Sequence, residues 1–390
     1  MRLRSALVAA VFAVACTTHG PGSNTPAGST VSSSNPTPGT TNPRPPSAAP
    51  SASSPPGDPD ALPAADRVFF AGGHVLGADG TSLWARTPGA RGRALWRADG
   101  DGVVHAVTHG DLGDGPRYYV ARGVGRGHLQ APLVLESLDP ATGARTELWR
   151  THGERNEPVT LAIADVDANG KPELAFSYYA SKYMVRTRHL GAGGVPRPEG
   201  PEVRMATLRL WADVDGDGRV DEVLGRVYGD AKDVPGDLRV DRGRGLEPVP
   251  VENGLKSAVY TAFGASTPAL YFCDGWVANY GKAAKARLKR ARFGGGVPTV
   301  ELLGESPDEF TFFALTAIDV DGDGRLEVVA QGDKRITIFS EGSGGAVTSR
   351  RGPDLEPVLN TAVGPDEAGR AVVYVPARPN SRVLPLAASR

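Results

Sequence analysis

Cysteine is nearly missing from this chain of 390 residues, which has two in all. Cys16 falls at the end of an N-terminal apolar run and Cys273 stands alone in the body. No disulfide can therefore staple the folded body, whose stability must come from packing, repetition or bound metal. No apolar run reaches the about 20 residues that a membrane-spanning helix needs, and no long stretch repeats its apolar residues at helical spacing. An excess of one charge is absent too: 43 Lys and Arg against 44 Asp and Glu leave a net charge of −1, with no overall field to draw nucleic acid. Catalytic signatures are equally scarce. The body histidines, His74, His105, His109, His128, His152 and His189, show no H-E-x-x-H or other zinc spacing and are expected as solvated loop residues. There is no G-x-S-x-G elbow, and the glycine runs at 294–296 and 342–345 lack the Lys-Ser/Thr ending of a phosphate loop.

What is present begins with a leader. Arg2 and Arg4 precede an apolar run from Ala6 to Ala15, too short to span a bilayer and shaped as an export signal, residues 1–15. Ala13-Val14-Ala15-Cys16 resembles a bacterial lipobox, although Leu is missing three residues before the Cys. That resemblance implies lipidation of Cys16 and anchorage to a membrane of a bacterial cell envelope, at the outer membrane or cell surface; an ordinary signal-peptidase site at Ala13-x-Ala15 is the other reading. Residues 16–65 then read as a tether. They are dominated by Pro, Ser, Thr, Gly and Ala, have no apolar periodicity, and cannot bury enough surface to offset their ordering entropy. A flexible chain of that length spans roughly 40 Å.

From residue 66 to 390 the composition turns to Val, Leu, Ala, Tyr, Trp and Arg broken by Gly and Asp, an all-β pattern. Its organising element is Ala317-Ile-Asp-Val-Asp-Gly-Asp-Gly-Arg-Leu-Glu-Val-Val329. Asp319, Asp321, Asp323 and Glu327 occupy positions 1, 3, 5 and 9 of a short loop, and Gly322 and Gly324 allow the tight turn that points them at one centre. Such an oxygen cage suits a hard cation. Calcium takes six to eight oxygens, which four carboxylates, the Arg325 carbonyl and a water would supply. An EF-hand is excluded because position 12 is Ala330 rather than Glu and the flanks are strand-like. A solvated Asp-Gly turn would not explain the acid at position 9.

The loop returns twice in full. Asp165, Asp167, Asn169 and Glu173 stand at positions 1, 3, 5 and 9 of one copy, and Asp213, Asp215, Asp217 and Asp221 at those of another. Reduced copies lie at 110–119, 263–272 and 363–374, the last with Gly364, Ala368 and Val372 where three of the ligands would be. The copies recur about every 50 residues, the length of one four-stranded propeller blade. Six loops, together with residues 66–104, make seven blades, and closure is expected to join N-terminal and C-terminal strands in one blade.

These loops resemble those of the FG-GAP and VCBS-type repeat family, whose blades carry D-x-D-G-D-G-x-x-[DE] loops and build the propeller of integrin α-subunit heads. The resemblance covers residues 66–390 and implies structural calcium at two or three of the loops, held by the twelve residues just named. It implies little about activity, because the family spans adhesins, lectins and accessory domains of lyases. The expectation is a recognition or scaffold module for a protein or glycan. The alternative is a polysaccharide lyase or hydrolase with its site in the propeller channel.

Three further features carry expectations. The basic run Lys282–Arg292 lacks interleaved aromatics to stack bases and is expected to guard an outer strand edge against other chains. Tyr118, Tyr119, Tyr178, Tyr179, Trp211, Tyr271 and Trp276 could line a sugar-binding rim, but at strand positions they are expected in the core. The long stretch Ala180–Glu202 is expected as an exposed insertion available for binding.

Overall fold

The computed structural model describes residues 62–386 apart from 101, 125–131, 152–157, 180–183, 198–201, 205, 227–236, 244, 250, 252–253, 265, 277–284, 295–296, 307–311, 333, 343, 356–360 and 379. The export signal, Cys16 and nearly all of the tether lie outside the described residues.

Among the described residues the β-branched and aliphatic runs form 27 strands in seven antiparallel sheets. Blade one contains β1 (Arg67–Ala71), β2 (His74–Ala78), β3 (Ser82–Arg86) and β4 (Ala94–Asp99). Blade two contains β5 (Val103–Asp111), β6 (Pro116–Gly123), β7 (Leu133–Leu138) and β8 (Arg145–Arg150), and blade three β9 (Pro158–Ala164), β10 (Glu173–Tyr179), β11 (Met184–Leu190) and β12 (Val203–Arg204). Blade four contains β13 (Ala206–Ala212), β14 (Asp221–Arg226), β15 (Leu238–Asp241) and β16 (Leu246–Val249), and blade five β17 (Gly254–Thr261), β18 (Ala269–Trp276), β19 (Ala286–Arg292) and β20 (Thr299–Ser306). Blade six contains β21 (Ala314–Ile318), β22 (Glu327–Gln331), β23 (Arg335–Glu341) and β24 (Val347–Asp354). Blade seven has three strands, β25 (Ala362–Pro365), β26 (Ala371–Val375) and β27 (Arg382–Pro385). Among the described residues the one helical element is a single 3-10 turn, Ala192–Gly194, and no helix is long and apolar enough to cross a membrane.

Each sheet is covered on both faces, which shows in the burial of the second strands. β22 and β26 are buried at every position, so they read as continuous apolar runs rather than alternating ones. The outer strand β24 is exposed along most of its length and carries Arg350 and Arg351, charges suited to an unpaired edge. Between neighbouring blades the apolar faces meet in separate cores. Trp96 and Tyr118 lie in the one between blades one and two, Phe272 between four and five, Phe312 and Phe339 between five and six, and Tyr374 between seven and one. The ring is a seven-bladed β-propeller, as the loop spacing predicts.

Closure is made through a segment rather than through a shared named strand. Blade one is complete by itself, and Leu62–Ala65 runs beside the last blade. Pro63 bridges Asn380, the Ser381 amide donates to the Pro63 carbonyl at 3.3 Å, and the Ala65 amide donates to the Ala377 carbonyl at 3.3 Å. Leu62 and Ala65 are buried in the core between blades seven and one.

Three expectations are corrected. The described part of the stretch 180–202 is no free insertion: it contains β11, paired with β10 from Leu174↔Leu190 to Tyr179↔Val185, whose Arg and Thr residues interrupt the apolar pattern and make it read as a loop. The described part of the basic run is β19, an inner strand flanked by β18 and β20, not an edge. Its cations are consumed within the protein. Arg287 Nε and Lys289 Nζ lie 2.8 and 2.7 Å from the fully buried carboxylate of Asp274, and Arg290 Nη2 lies 2.7 Å from Glu301. The histidines on described residues are on strands, not in solvated loops: His74, His105, His109 and His189 are all half-buried. The ring nitrogen Nδ1 of His74 hydrogen-bonds the Tyr118 hydroxyl, the His109 ring lies 5.2 Å from that of Tyr118, and the His189 ring lies 6.3 Å from that of Trp211. His128 and His152 lie outside the described residues. The aromatic expectation holds for Tyr118, Tyr119, Tyr178, Trp211 and Tyr271, all buried, whereas Tyr179 is half-buried and the Trp276 side chain lies outside the described residues.

Removing Asp274 would leave two cations buried without their carboxylate. Asp274→Ala should cost about 3–5 kcal/mol of folding stability, read by urea unfolding; a loss below about 1 kcal/mol would show that Arg287 and Lys289 find other partners.

Candidate metal centres

The three full acidic loops are the hairpins β9–β10, β13–β14 and β21–β22, each joining the first strand of a blade to its second. First strands run the same way around a propeller, so the three hairpins emerge at one end of it. Their side chains are arranged alike. Carboxylate oxygens of Asp165, Asp167 and Glu173 lie within 4.8 Å of one another, as do those of Asp213, Asp215 and Asp221, and those of Asp319, Asp321 and Glu327.

Backbone hydrogen bonds hold each carboxylate in place. Position 1 clamps the turn with both oxygens: Asp319 accepts the amides of Gly322 and Gly324 at 2.7 and 2.8 Å, and Asp213 accepts those of Gly216 and Gly218 at 2.7 and 2.9 Å. Position 9 opens the second strand and reaches back to the amide of position 2, as in Val320 to Glu327 at 2.7 Å, Val214 to Asp221 at 2.8 Å and Val166 to Glu173 at 2.9 Å. At position 5, Asn169, Asp217 and Asp323 each accept the amide two residues on at 2.8 Å, an Asx turn. Of the four ligand positions read from sequence, carboxylate oxygens of positions 1, 3 and 9 lie within 4.8 Å of one another in each loop.

Gathering three carboxylates has an electrostatic cost. Burial, and then the neighbouring Asp215, Asp217 and Asp213, push the Asp221 carboxyl up to about 6. Burial and then Asp321, Asp319 and Asp323 push Glu327 up in the same way. A divalent cation bound by these oxygens would remove that repulsion. The donor set is all oxygen, which suits a hard cation. Glu173 Oε1 is buried and makes no hydrogen bond, its nearest cation being Arg197 Nη2 at 3.7 Å.

The three loops are not equivalent, for reasons that sequence spacing does not carry. Arg197 Nη2 approaches Glu173 Oε1 to 3.7 Å, and Arg242 Nη1 approaches Asp215 to 3.7 Å. These guanidiniums come from the loops after β11 and β15, far in sequence from the carboxylates they face. Position 4 needs a left-handed backbone, supplied by Gly216 (φ 78°) and Gly322 (φ 82°). In the first loop that position is Ala168 (φ 56°), the one non-glycine residue with positive φ among the described residues. Aligning the three loops would have exposed this substitution in the sequence. The loop of blade three is therefore the most strained and, with Asn169, the least charged.

No model of a known protein family matches the chain, and no curated protein matches it in sequence. Among solved structures it is similar to the Sqt1 protein of Saccharomyces cerevisiae, with a TM-score of 0.47 and 10% identity over 81% of this chain and 82% of that one. It is also similar to the periplasmic gluconolactonase PpgL of Pseudomonas aeruginosa, with a TM-score of 0.45 and 13% identity over 82% of this chain and 95% of that one. At these TM-scores neither likeness carries over an activity.

Ala168→Gly should stabilise the metal-free protein by about 1 kcal/mol, the left-handed strain of alanine less the extra chain entropy of glycine; a loss of stability by thermal unfolding would contradict the strain. The pH dependence has a definite sign. The folded, metal-free protein holds a proton on Asp221 up to about pH 6, whereas the unfolded chain releases it near the ordinary value of 3.8. Stability in chelator should therefore fall as pH rises from about 4 to 6, and Asp221→Asn should flatten that slope. The lowered carboxyls of Asp79, Asp237 and Asp366 act below this window, with the opposite sign.

Proposed function

We propose that this chain is an exported calcium-binding β-propeller, lipid-anchored at Cys16 to a bacterial envelope membrane, that serves as a recognition or scaffold module for a protein or a glycan. The observation that carries the calcium part is the threefold recurrence of one arrangement: oxygens from positions 1, 3 and 9 brought within 4.8 Å in blades three, four and six. A chance acidic turn would not place a buried position-9 carboxylate on the amide of position 2 each time. The loops also fit the FG-GAP and VCBS-type pattern, although the likeness rests on these hairpins alone.

A structural role for the metal follows from where its ligands come from. All of them lie within nine consecutive residues of one hairpin, so the ion would tie two strands of one blade together instead of bridging to a substrate. Anchoring is supported by the leader and the small residue before Cys16, followed by a long polar tether.

Calcium at millimolar concentration should raise the melting temperature of chelator-treated protein, by mass action worth about 2.7 kcal/mol for each site held at a hundred times its Kd; an unchanged melting temperature would remove the calcium reading. Intact mass of the native protein should show acyl chains on a mature chain beginning at Cys16, and a bare Cys16 would show plain secretion. A glycan array run with and without calcium, alongside a polysaccharide-degradation screen, tests the recognition role. Turnover of a polysaccharide, abolished by Asp215→Ala with the melting temperature unchanged, would replace the module by an enzyme.

A further inference from the structure

The inner ring of the propeller is not uniformly tight. First strands pack directly on one another from β25 to β1 and onward through β5, β9, β13 and β17 to β21. Where the ring passes from β21 to β25, a cavity of about 20 Å3 lies between blades six and seven, beside their shared apolar core. It is lined by Ala314 and Thr316 of β21, Val329 and Gln331 of β22, Thr361 to Val363 at β25, and Phe70 of β1.

Two of these linings are polar groups with nothing to bond. The amide nitrogen Nε2 of Gln331 and the hydroxyl of Thr361 are buried without a hydrogen-bond partner, on residues that are 3% and 7% exposed. An amide or hydroxyl left dry inside a protein costs about 1–3 kcal/mol, so a folded chain seldom keeps two beside one cavity. The space is of the right size for water, which needs about 10–15 Å3 by the same measure and two to four polar partners. Thr316 supplies a second hydroxyl, and a third polar group, to the lining. No charged side chain lines the cavity, which argues against an ion.

We propose that this recess is a water-binding site, in which an ordered water bridges Gln331 and Thr361 and completes the contact between blades six and seven. Beside the apolar core that blades six and seven share, the water then fills the gap and satisfies the groups that face it.

The sign of two substitutions decides the matter. Thr361→Val keeps the shape of the side chain and removes only the hydroxyl, and Gln331→Met keeps the length and removes the amide. If a water is bound, each change takes away one of its partners and should raise the unfolding equilibrium constant about tenfold. If the cavity is dry, each change removes an unsatisfied group and should lower that constant. The double variant Thr361→Val, Gln331→Met should be affected by clearly less than the product of the single effects, since both groups and their water leave together. A high-resolution crystal structure of the unaltered protein gives an answer that does not depend on the variants folding. Water density within hydrogen-bond distance of both Gln331 Nε2 and the Thr361 hydroxyl is expected. An empty recess, a direct bond between the two side chains, or stabilisation by Thr361→Val would overturn the proposal.

Discussion

A blade of this chain has two apolar faces and can cover neither by itself. That constraint explains why the molecule closes into a ring, why second strands such as β22 and β26 are buried at every position, and why no disulfide is needed inside the body. Each interface joins residues of two successive blades, so the cores are linked in series, and the last one depends on Leu62 and Ala65 reaching the strands of blade seven. The ends of the chain are thereby the place where the ring is held shut, with Arg378 also placed 3.0 Å from Asp66.

Within that ring the inner hairpins face one recurring difficulty, which is to turn the chain tightly at the edge of a buried sheet. Different blades settle it by different chemistry. Blades three, four and six clamp the turn with a position-1 Asp and gather further carboxylates around it, at the cost of repulsion. Blade two keeps the clamp alone: Asp111 accepts the amides of Gly113 and Gly115 at 2.7 and 2.9 Å. In blade seven Asp366 does the same with Ala368 and Arg370, and the Arg370 side chain supplies the countercharge at 2.7 Å. Blade five has no acid in its loop and borrows Glu341 from β23 of blade six, which accepts the Ser266 hydroxyl at 2.8 Å and faces Arg290 at 3.5 Å. A side-chain cation thus stands where blade five has no place for a metal.

Much of this was legible in the sequence because propellers write their fold as a period. The acidic loops recur at blade spacing, and their glycines mark left-handed positions directly, so blade number and hairpin location followed from the spacing of Asp and Gly. Contacts across strands and blades were not legible, since hairpin spacing does not say which side chains are brought together. Nothing in the sequence says that Arg197 faces Glu173, that Asp274 neutralises Arg287 and Lys289, or that His74 meets Tyr118. The stretch around β11 misled for a related reason: Met-Val-Arg-Thr-Arg-His-Leu has too few apolar residues to look like a strand, yet it is held by pairing to the buried β10.

The account stands on the claim that three hairpins at one end of the propeller are shaped for oxygen-bound cations. The most direct test is anomalous diffraction from crystals grown with calcium, and again with a lanthanide in its place. The account predicts a peak among Asp319, Asp321 and Glu327 and another among Asp213, Asp215 and Asp221, with the weakest among Asp165, Asp167 and Glu173. Absence of any peak at all three, with Glu327 and Asp221 still bonded to the amides of Val320 and Val214, would contradict it.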